Sequence, residues 1–452
     1  MSSNRFLAAV AAFALLCPLG AIAQEKEGGF DFGLSIGIGA DTFYEEGVNV
    51  TYQKVTLSPD IAFGKFGIGL ELAIHYTFTG GAEGNDFFIR TEGEWVPGAD
   101  QNFLDVYLPK FKYVRYGFKG EPLYAKLGSI EDGTLGNGFI MANYDNTLFL
   151  PEKRIFGLAF DLDGALFDFP YVGIESFVGN LSRFDVIGGR LFVRPLAFTT
   201  IPIIKNLQVG GTLAMDTDPG LHTGDPGLET VVLYGVDLRQ PILASKAISL
   251  AVFGDLAILG NRGSLGGMVG LGGRIAGFLL YGAQIRMLGD NFVPVYFDST
   301  YDLFREDKWK IATGQENVPA YTGWLGSLGF AFFEDLLVFN ASLDGPFESD
   351  RDTLNYLDWP HLYAQFVLGK GLIPNISLEA SFDKRYLGKS LPDEPLRGFF
   401  RDLFSFADAV IQARLNYSIG AAVLSLVYDI RWDPSLGDWV THSGIESAIE
   451  LF

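Results

Sequence analysis

Strict alternation constrains this chain more than any other feature. In FDFGLSIGIGAD (30–41) the even positions Phe30, Phe32, Leu34, Ile36, Ile38 and Ala40 are apolar. The odd positions Asp31, Gly33, Ser35, Gly37, Gly39 and Asp41 are small or polar. A sustained period of two marks a strand whose faces meet two different surroundings. The pattern recurs at 66–78, 277–288, 323–333, 375–383 and 422–432. A soluble sandwich would turn the apolar face to a protein core, whereas a membrane barrel would turn it to lipid and keep the polar face inside.

Composition decides between them. Hydrophobic residues make up 48% of the 452 residues, with 56 Gly, 40 Phe and 19 Tyr. Beyond the leader, no apolar run is long enough for a membrane-spanning helix. High apolar content dispersed by alternation is the signature of a membrane barrel. The leader itself is MSSNRFLAAVAAFALLCPLGAIAQEK: Arg5, an apolar run from Phe6 to Gly20, then Ala21-Ile22-Ala23. It reads as a secretory signal peptide over 1–23, cleaved after Ala23. A retained anchor is the alternative, but the run is short for one. Cys17, the sole cysteine, lies inside it, so the exported part has no disulfide, thiol nucleophile or Cys-based metal site. The formal charge is −21, and about −22 once Arg5 leaves with the leader. Such acidity excludes a nucleic-acid partner, which would require phosphates to be neutralised.

Connector lengths add an independent argument. Tight connections stand at 64–67, 119–122, 274–277, 333–335 and 418–421, and long ones at 80–102, 131–153, 216–229, 288–322, 344–360 and 384–407. With the first strand starting at the short-turn side, every long connector falls on the opposite side. The predicted fold is all-β: residues 24–452 form a single transmembrane antiparallel up-and-down β-barrel of roughly 16–20 strands, with short periplasmic turns and long outer loops. One segment, 397–415, departs from the pattern, with Phe399, Phe400, Leu403, Phe404 and Ala407 at helical spacing, and predicts a short loop helix up to about residue 407, with an aromatic-rich loop packing on itself as the equal alternative.

Leader, alternation, loop asymmetry and the terminal Phe452 together resemble a bacterial outer-membrane β-barrel of the porin type. The resemblance covers 24–452 and rests on generic features. It implies the outer membrane of a diderm bacterium, contact with lipopolysaccharide or other outer-leaflet lipid, recognition of Phe452 by the barrel-assembly machinery, and passage of small solutes. Phe452 is out of phase with Ile445, Ile449 and Leu451, so its match is partial. Porins are often trimers, but the outward faces here show no small-residue patch that would mark a homo-oligomer contact.

If the apolar face meets lipid, the other lines the lumen. Candidate lumen-lining and selectivity residues are Glu71, Lys126, Glu175, Arg190, Gln284, Arg286, Glu379 and Arg414, with His75, Arg194, Asp237, Arg239, Asp255, Asp383, Asp429 and Arg431 nearer the strand ends. A mixed-sign lumen suits a water-filled pore. The competing reading is cross-pairing inside a closed interior, which weakens as strand number grows. The Gly- and Asn-rich stretch 131–154 fits either a loop folded into the lumen or an ordinary outer loop. Acidic stretches 215–227 and 344–352 lack calcium-loop spacing and read as turns, so no metal or cofactor is expected. His442 and Ser443 are adjacent on a strand and point apart, which argues against catalysis. Two alternatives to a porin-like channel stay open. One is a transporter for hydrophobic ligands resembling the fatty-acid transporters, with Phe-rich loops 288–322 and 397–407 as a cradle. The other is a non-conducting structural or adhesive surface barrel.

Overall fold

The architecture is that of a computed structural model describing residues 30–45, 48–81, 84–99, 101–149, 154–201, 203–221, 227–348, 355–420, 422–433 and 438–450. The signal-peptide reading, Phe452, His222 and much of the two acidic stretches lie outside the described residues, as do the side chains of Asp31 and His442. Among the described residues the chain forms β1 (Phe30–Glu45), β2 (Val48–Phe63), β3 (Phe66–Leu70), β4 (Leu72–Gly81), β5 (Gly84–Arg90), β6 (Phe111–Tyr116), β7 (Leu123–Gly128) and β8 (Gly157–Asp163). There follow β9 (Val172–Val178), β10 (Val186–Val193), β11 (Gln208–Asp216), β12 (Val231–Ala244), β13 (Ser249–Leu259), β14 (Ser264–Ile275) and β15 (Leu279–Leu288). The last are β16 (Tyr321–Phe332), β17 (Leu337–Pro346), β18 (His361–Ile373), β19 (Ile376–Lys384), β20 (Ala409–Ile419), β21 (Ala422–Asp433) and β22 (Asp438–Glu450). Helices α1 (Phe103–Tyr107), α2 (Arg305–Thr313) and α3 (Pro395–Leu403) lie in connections, α3 within the helix expected there.

Every pairing is antiparallel between neighbours, and β22 returns to β1, so the sheet closes on itself. β2 pairs with both β3 and β4, which form one stave interrupted at Glu71. β5 lies on β4 and β6 on β3, so these two share the next stave. The 22 segments therefore make a 20-stave barrel, within the expected range and even-numbered. The long connector expected at 80–102 is a correction. β5 occupies part of it, and the true insertion, 91–110 with α1, interrupts the wall between β5 and β6. Glu94 from that insertion bonds inward to His75 and Arg90, so the excursion is folded back against the lumen side. Segments 122–130 and 336–343, open to reading as loops, hold β7 and β17.

Alternation orients each stave. On β12 Tyr234, Val236 and Leu238 are exposed, while Leu233 and Asp237, of the other parity, are buried. On β15 Ile285 and Met287 are exposed, and Gln284, Arg286 and Leu288 are buried. Exposed apolar side chains recur around the cylinder, from Ile36 and Ile38 to Tyr428 and Ile445. That is the outward band a bilayer covers. Among the described residues no helix is long and apolar enough to cross a membrane.

The seam is short. β1 and β22 are in register over only Ser35–Ala40 against Glu450–Ile445, whereas β1 and β2 pair from Phe30↔Phe63 to Glu45↔Val48. A Cβ at Gly39 would lie 2.1 Å from the Ile445 carbonyl oxygen, so glycine permits the close approach there. Lys54 of β2 clasps the seam, bonding Asp41 of β1 at 3.0 Å and Glu446 of β22.

Candidate solute pathway

Two connections from the long-loop end fold into the lumen. The β7–β8 connection enters as GTLGNGFIMANYDN, whose Gly136 and Gly138 adopt left-handed backbone and reverse the chain within a few residues. Leu135, Phe139, Ile140, Met141, Tyr144 and Leu148 are all buried. The alternative of an ordinary outer loop is thereby settled in favour of a lumen loop. The β15–β16 connection follows it in. Its α2 carries Glu306 and Asp307 in the first turn and closes on Gly314 in the left-handed conformation.

The two loops bind each other before they bind the wall. Backbone bonds join Ala142 N–H to the Phe297 carbonyl (3.0 Å), Phe297 N–H to Ile140 (3.2 Å) and Val295 N–H to Phe139 (2.8 Å). Phe139 stacks on Phe292 at 5.5 Å between ring centres, and Tyr144 meets Tyr301 at 6.0 Å. The resulting plug shares one apolar core with inward side chains of β7–β15, among them Phe177, Leu233, Phe253, Leu259 and Met268. A Cβ at Gly266 would lie 2.4 Å from the Phe292 ring, so bare backbone makes room for that ring.

Charge fastens the plug. Arg305 makes a bidentate pair with Asp216 of β11 (2.7 and 2.5 Å) and reaches Asp185 at 3.0 Å. Tyr301 donates its hydroxyl to the same Asp216. Lys308 bonds Asp298 at 2.6 Å, and Arg385, from the β19–β20 connection, bonds the same carboxylate at 2.7 Å. Burial pushes the Asp298 carboxyl up, but Lys308 and Arg385 outweigh it and hold the group below the usual carboxylate range. Burial pushes the Lys308 ammonium down to about 8, against the opposing pull of Asp298. Asp145 is pushed up to about 7 by burial and by the nearby Glu131 carboxylate, although Thr147 bonds it.

All eight candidate lumen residues lie on the face away from the apolar band, and the plug sorts them. Arg190 of β10 pairs with Glu175 of β9 (2.8 Å) and Asp237 of β12 (2.6 Å), and Glu175 also accepts the Gly136 N–H of the plug (2.9 Å). Asp255 accepts from Asn137 of the plug at 2.9 Å. These groups are structural mates of the loop. Glu71 bonds Arg154 at 2.5 Å, and Lys126 stands opposite Arg115 of β6. Arg286 bonds Asp344 at 3.1 Å and Gln284 at 3.2 Å. Glu379 and Arg414 face each other in register on β19 and β20 and remain exposed on the inward face. Sequence reading missed Arg305, Lys308 and Asp298, whose helix-and-loop setting looks like an ordinary solvated surface.

Between plug and wall lies a partly open cavity of about 140 Å³. Gln284 and Arg286 of β15, Ser327 of β16, Asn340, Ser342 and Asp344 of β17, and His361, Tyr363 and Gln365 of β18 line one side, with Asp298 and Arg385 opposite. His361 sits between two carboxylates, Asp344 at 3.2 Å and Asp383 at 2.8 Å.

No protein-family model and no curated protein matches the sequence. Among solved structures, a BenF-like porin from Pseudomonas fluorescens Pf-5 is similar at 9% identity and TM-score 0.38, over 93% of this chain and 99% of that one. OccK11 (OpdR) of Pseudomonas aeruginosa gives 11% and 0.36, over 94% and 98%. The outer membrane protein OprD of the same species gives 10% and 0.33, over 95% of each. Scores at this level carry no argument; the barrel rests on its own strand pairing.

Proposed function

We propose that the chain is a porin-type channel of the outer membrane that passes small solutes through a mixed-charge lumen narrowed by an internal plug. The observation that carries this reading is the partly open cavity between plug and wall. A barrel built only as a surface scaffold has no need of such a space. The plug consumes the apolar core of the β7–β15 half, while the wall from β16 to β18 keeps polar side chains facing open volume. A cylinder of this many staves outgrows its own wall side chains, so leaving part of the lumen unfilled costs little in packing. Glu379, Arg414, Arg286 and Asp344 set opposed charges along the remaining path, the arrangement that favours hydrated polar solutes. The hydrophobic-ligand alternative loses support, since Phe292, Phe297 and Tyr301 of its supposed cradle are packed inside the plug.

The test is single-channel recording of the purified protein in a planar bilayer. Reproducible conductance steps are expected, with ion selectivity that shifts when Glu379 or Arg414 is neutralised. A folded barrel that never conducts overturns the reading.

A further inference from the structure

The inward face of β17–β20 carries a row of uncharged hydrogen-bonding side chains in direct register: Asn340 opposite Gln365, Gln365 opposite Ser381, and Ser381 opposite Gln412. One level further toward the long loops, Ser327 stands opposite Ser342, and Ser342 opposite Tyr363. Neighbouring strands are about 4.8 Å apart, so the four-residue row spans roughly 14 Å. Asn340, Ser342 and Gln365 line the cavity. Ser381 donates to Gln412 at 3.1 Å and Gln365 to the Tyr363 hydroxyl at 2.6 Å. Among the described residues no side-chain hydrogen bond engages Asn340 or Ser342, which are left to meet whatever fills the space.

Charged groups at the cavity are by contrast already mated. Arg286 and His361 share Asp344, His361 also reaches Asp383, and Arg385 holds Asp298. Three cationic side chains thus meet three carboxylates inside the protein. An anionic solute gains a cation here only by displacing one of these partners, which strands a carboxylate out of bulk water.

From this we infer that the cavity is a binding track for neutral polyhydroxylated solutes, of the size and chemistry of monosaccharides and their alditols. The inference rests on the channel reading and names its substrate class. An amide carries donors and an acceptor, and a serine hydroxyl does both as well. A sugar hydroxyl has the same dual character, so each contact along the row is satisfied from both sides. A carboxylate only accepts and leaves the row's acceptors facing its charge. Tyr321, Tyr363 and Trp359 border the same space and provide apolar ring surface for the C–H side of a sugar ring.

Two readouts test it on the full-length protein. In single-channel recordings, glucose or sorbitol is expected to reduce the ion current saturably, and gluconate at equal concentration is not. Trp359 borders the cavity, so glucose is also expected to change tryptophan fluorescence in a manner that needs no conductance. The N340A/Q365A variant should raise the half-effective sugar concentration by about tenfold, the effect of losing two ordinary hydrogen bonds. Gluconate acting as strongly as glucose, or a double variant that responds like the parent, overturns the inference. Sugar-dependent fluorescence in a barrel that never conducts keeps the inference and overturns the channel.

Discussion

The two halves of the lumen dispose of polar groups in opposite ways. From β7 to β15 the interior behaves like a soluble protein core: Phe177, Leu233, Leu259 and Met268 pack on the plug, and Arg190 and Arg305 are buried against carboxylates. From β16 to β20 the same inward face presents Ser327, Asn340, Ser342, Gln365, Ser381 and Gln412, most of them facing open volume. A buried charge is tolerable only when mated, so the first half fixes its charges in place. A neutral amide or hydroxyl can face water or a solute without a fixed mate. Rigidity and permeability are thus assigned to different arcs of one wall.

The sharpest way to break this contrast is Arg305→Ala. It leaves Asp216, Asp185 and Asp302 around an empty site. A cost of about 3–5 kcal/mol is expected. It should appear as a lower melting temperature and as larger or noisier conductance when the plug leaves its seat. Unchanged melting and conductance would mean that the ion cluster does not hold the plug. Next, Gly266→Ala places a methyl against the Phe292 ring and should destabilise by about 1–3 kcal/mol, the usual cost of overpacking. The same change at Gly326, on the outward face of β16 where a Cβ meets nothing within 4 Å, is the unhindered control.

A pH series sharpens the comparison further. Asp145 titrates near 7 in the plug against an ordinary carboxylate value in a released loop, so the seated plug binds the extra proton between those values. Plug stability is therefore greatest at low pH and declines as pH rises toward 7. Protection factors of 130–148, which remove the intrinsic rise of exchange with pH, should fall roughly tenfold or more between pH 5 and pH 8. Asp145→Asn should flatten the response. Lys308, depressed to about 8, acts with the opposite sign only at higher pH. The smallest effect belongs to Ser342→Ala, expected to change stability by less than about 0.5 kcal/mol, as at a surface position. A large loss of stability there would show that the open half is a core after all.

Much of the wall was legible because lipid makes one demand everywhere: Ile36, Val236, Ile285 and Tyr428 each declare the outward face by parity alone. The inward face follows from the same parity, which is why Glu175, Arg190, Gln284 and Arg286 fall on it. Which inward charges find each other is set by strand register and by the plug, and neither leaves a local trace. The Gly, Asn and interspersed apolar residues of 131–154 fit a lumen loop and an ordinary outer loop equally. Its partner at 288–322 reads as a ligand cradle because of its aromatics. Their true use is contact with Phe139 and Tyr144, far away in sequence. Arg305 and Lys308 sit in REDKWK, a string indistinguishable from a solvated helix until the cavity around it is known. The wall insertion at 91–110 was hidden for a similar reason, since nothing in Glu71 announces that the next stave will break beside it.

The short seam at Gly39 carries a consequence for how the cylinder is made. Its six residue pairs join strands from opposite ends of a 452-residue chain, so they are the most distant contacts in sequence. The entropy of such a closure grows only logarithmically, by about 0.6 kcal/mol for each doubling of the loop, so distance is a small obstacle to stability. It is a large obstacle to speed, because non-local pairings form late. Until they form, β1 and β22 are raw edges of a curled ribbon, able to pair with any other strand they meet. Shutting the ribbon is therefore the step that ends the hazard, and Lys54, gripping both lips, is the latch.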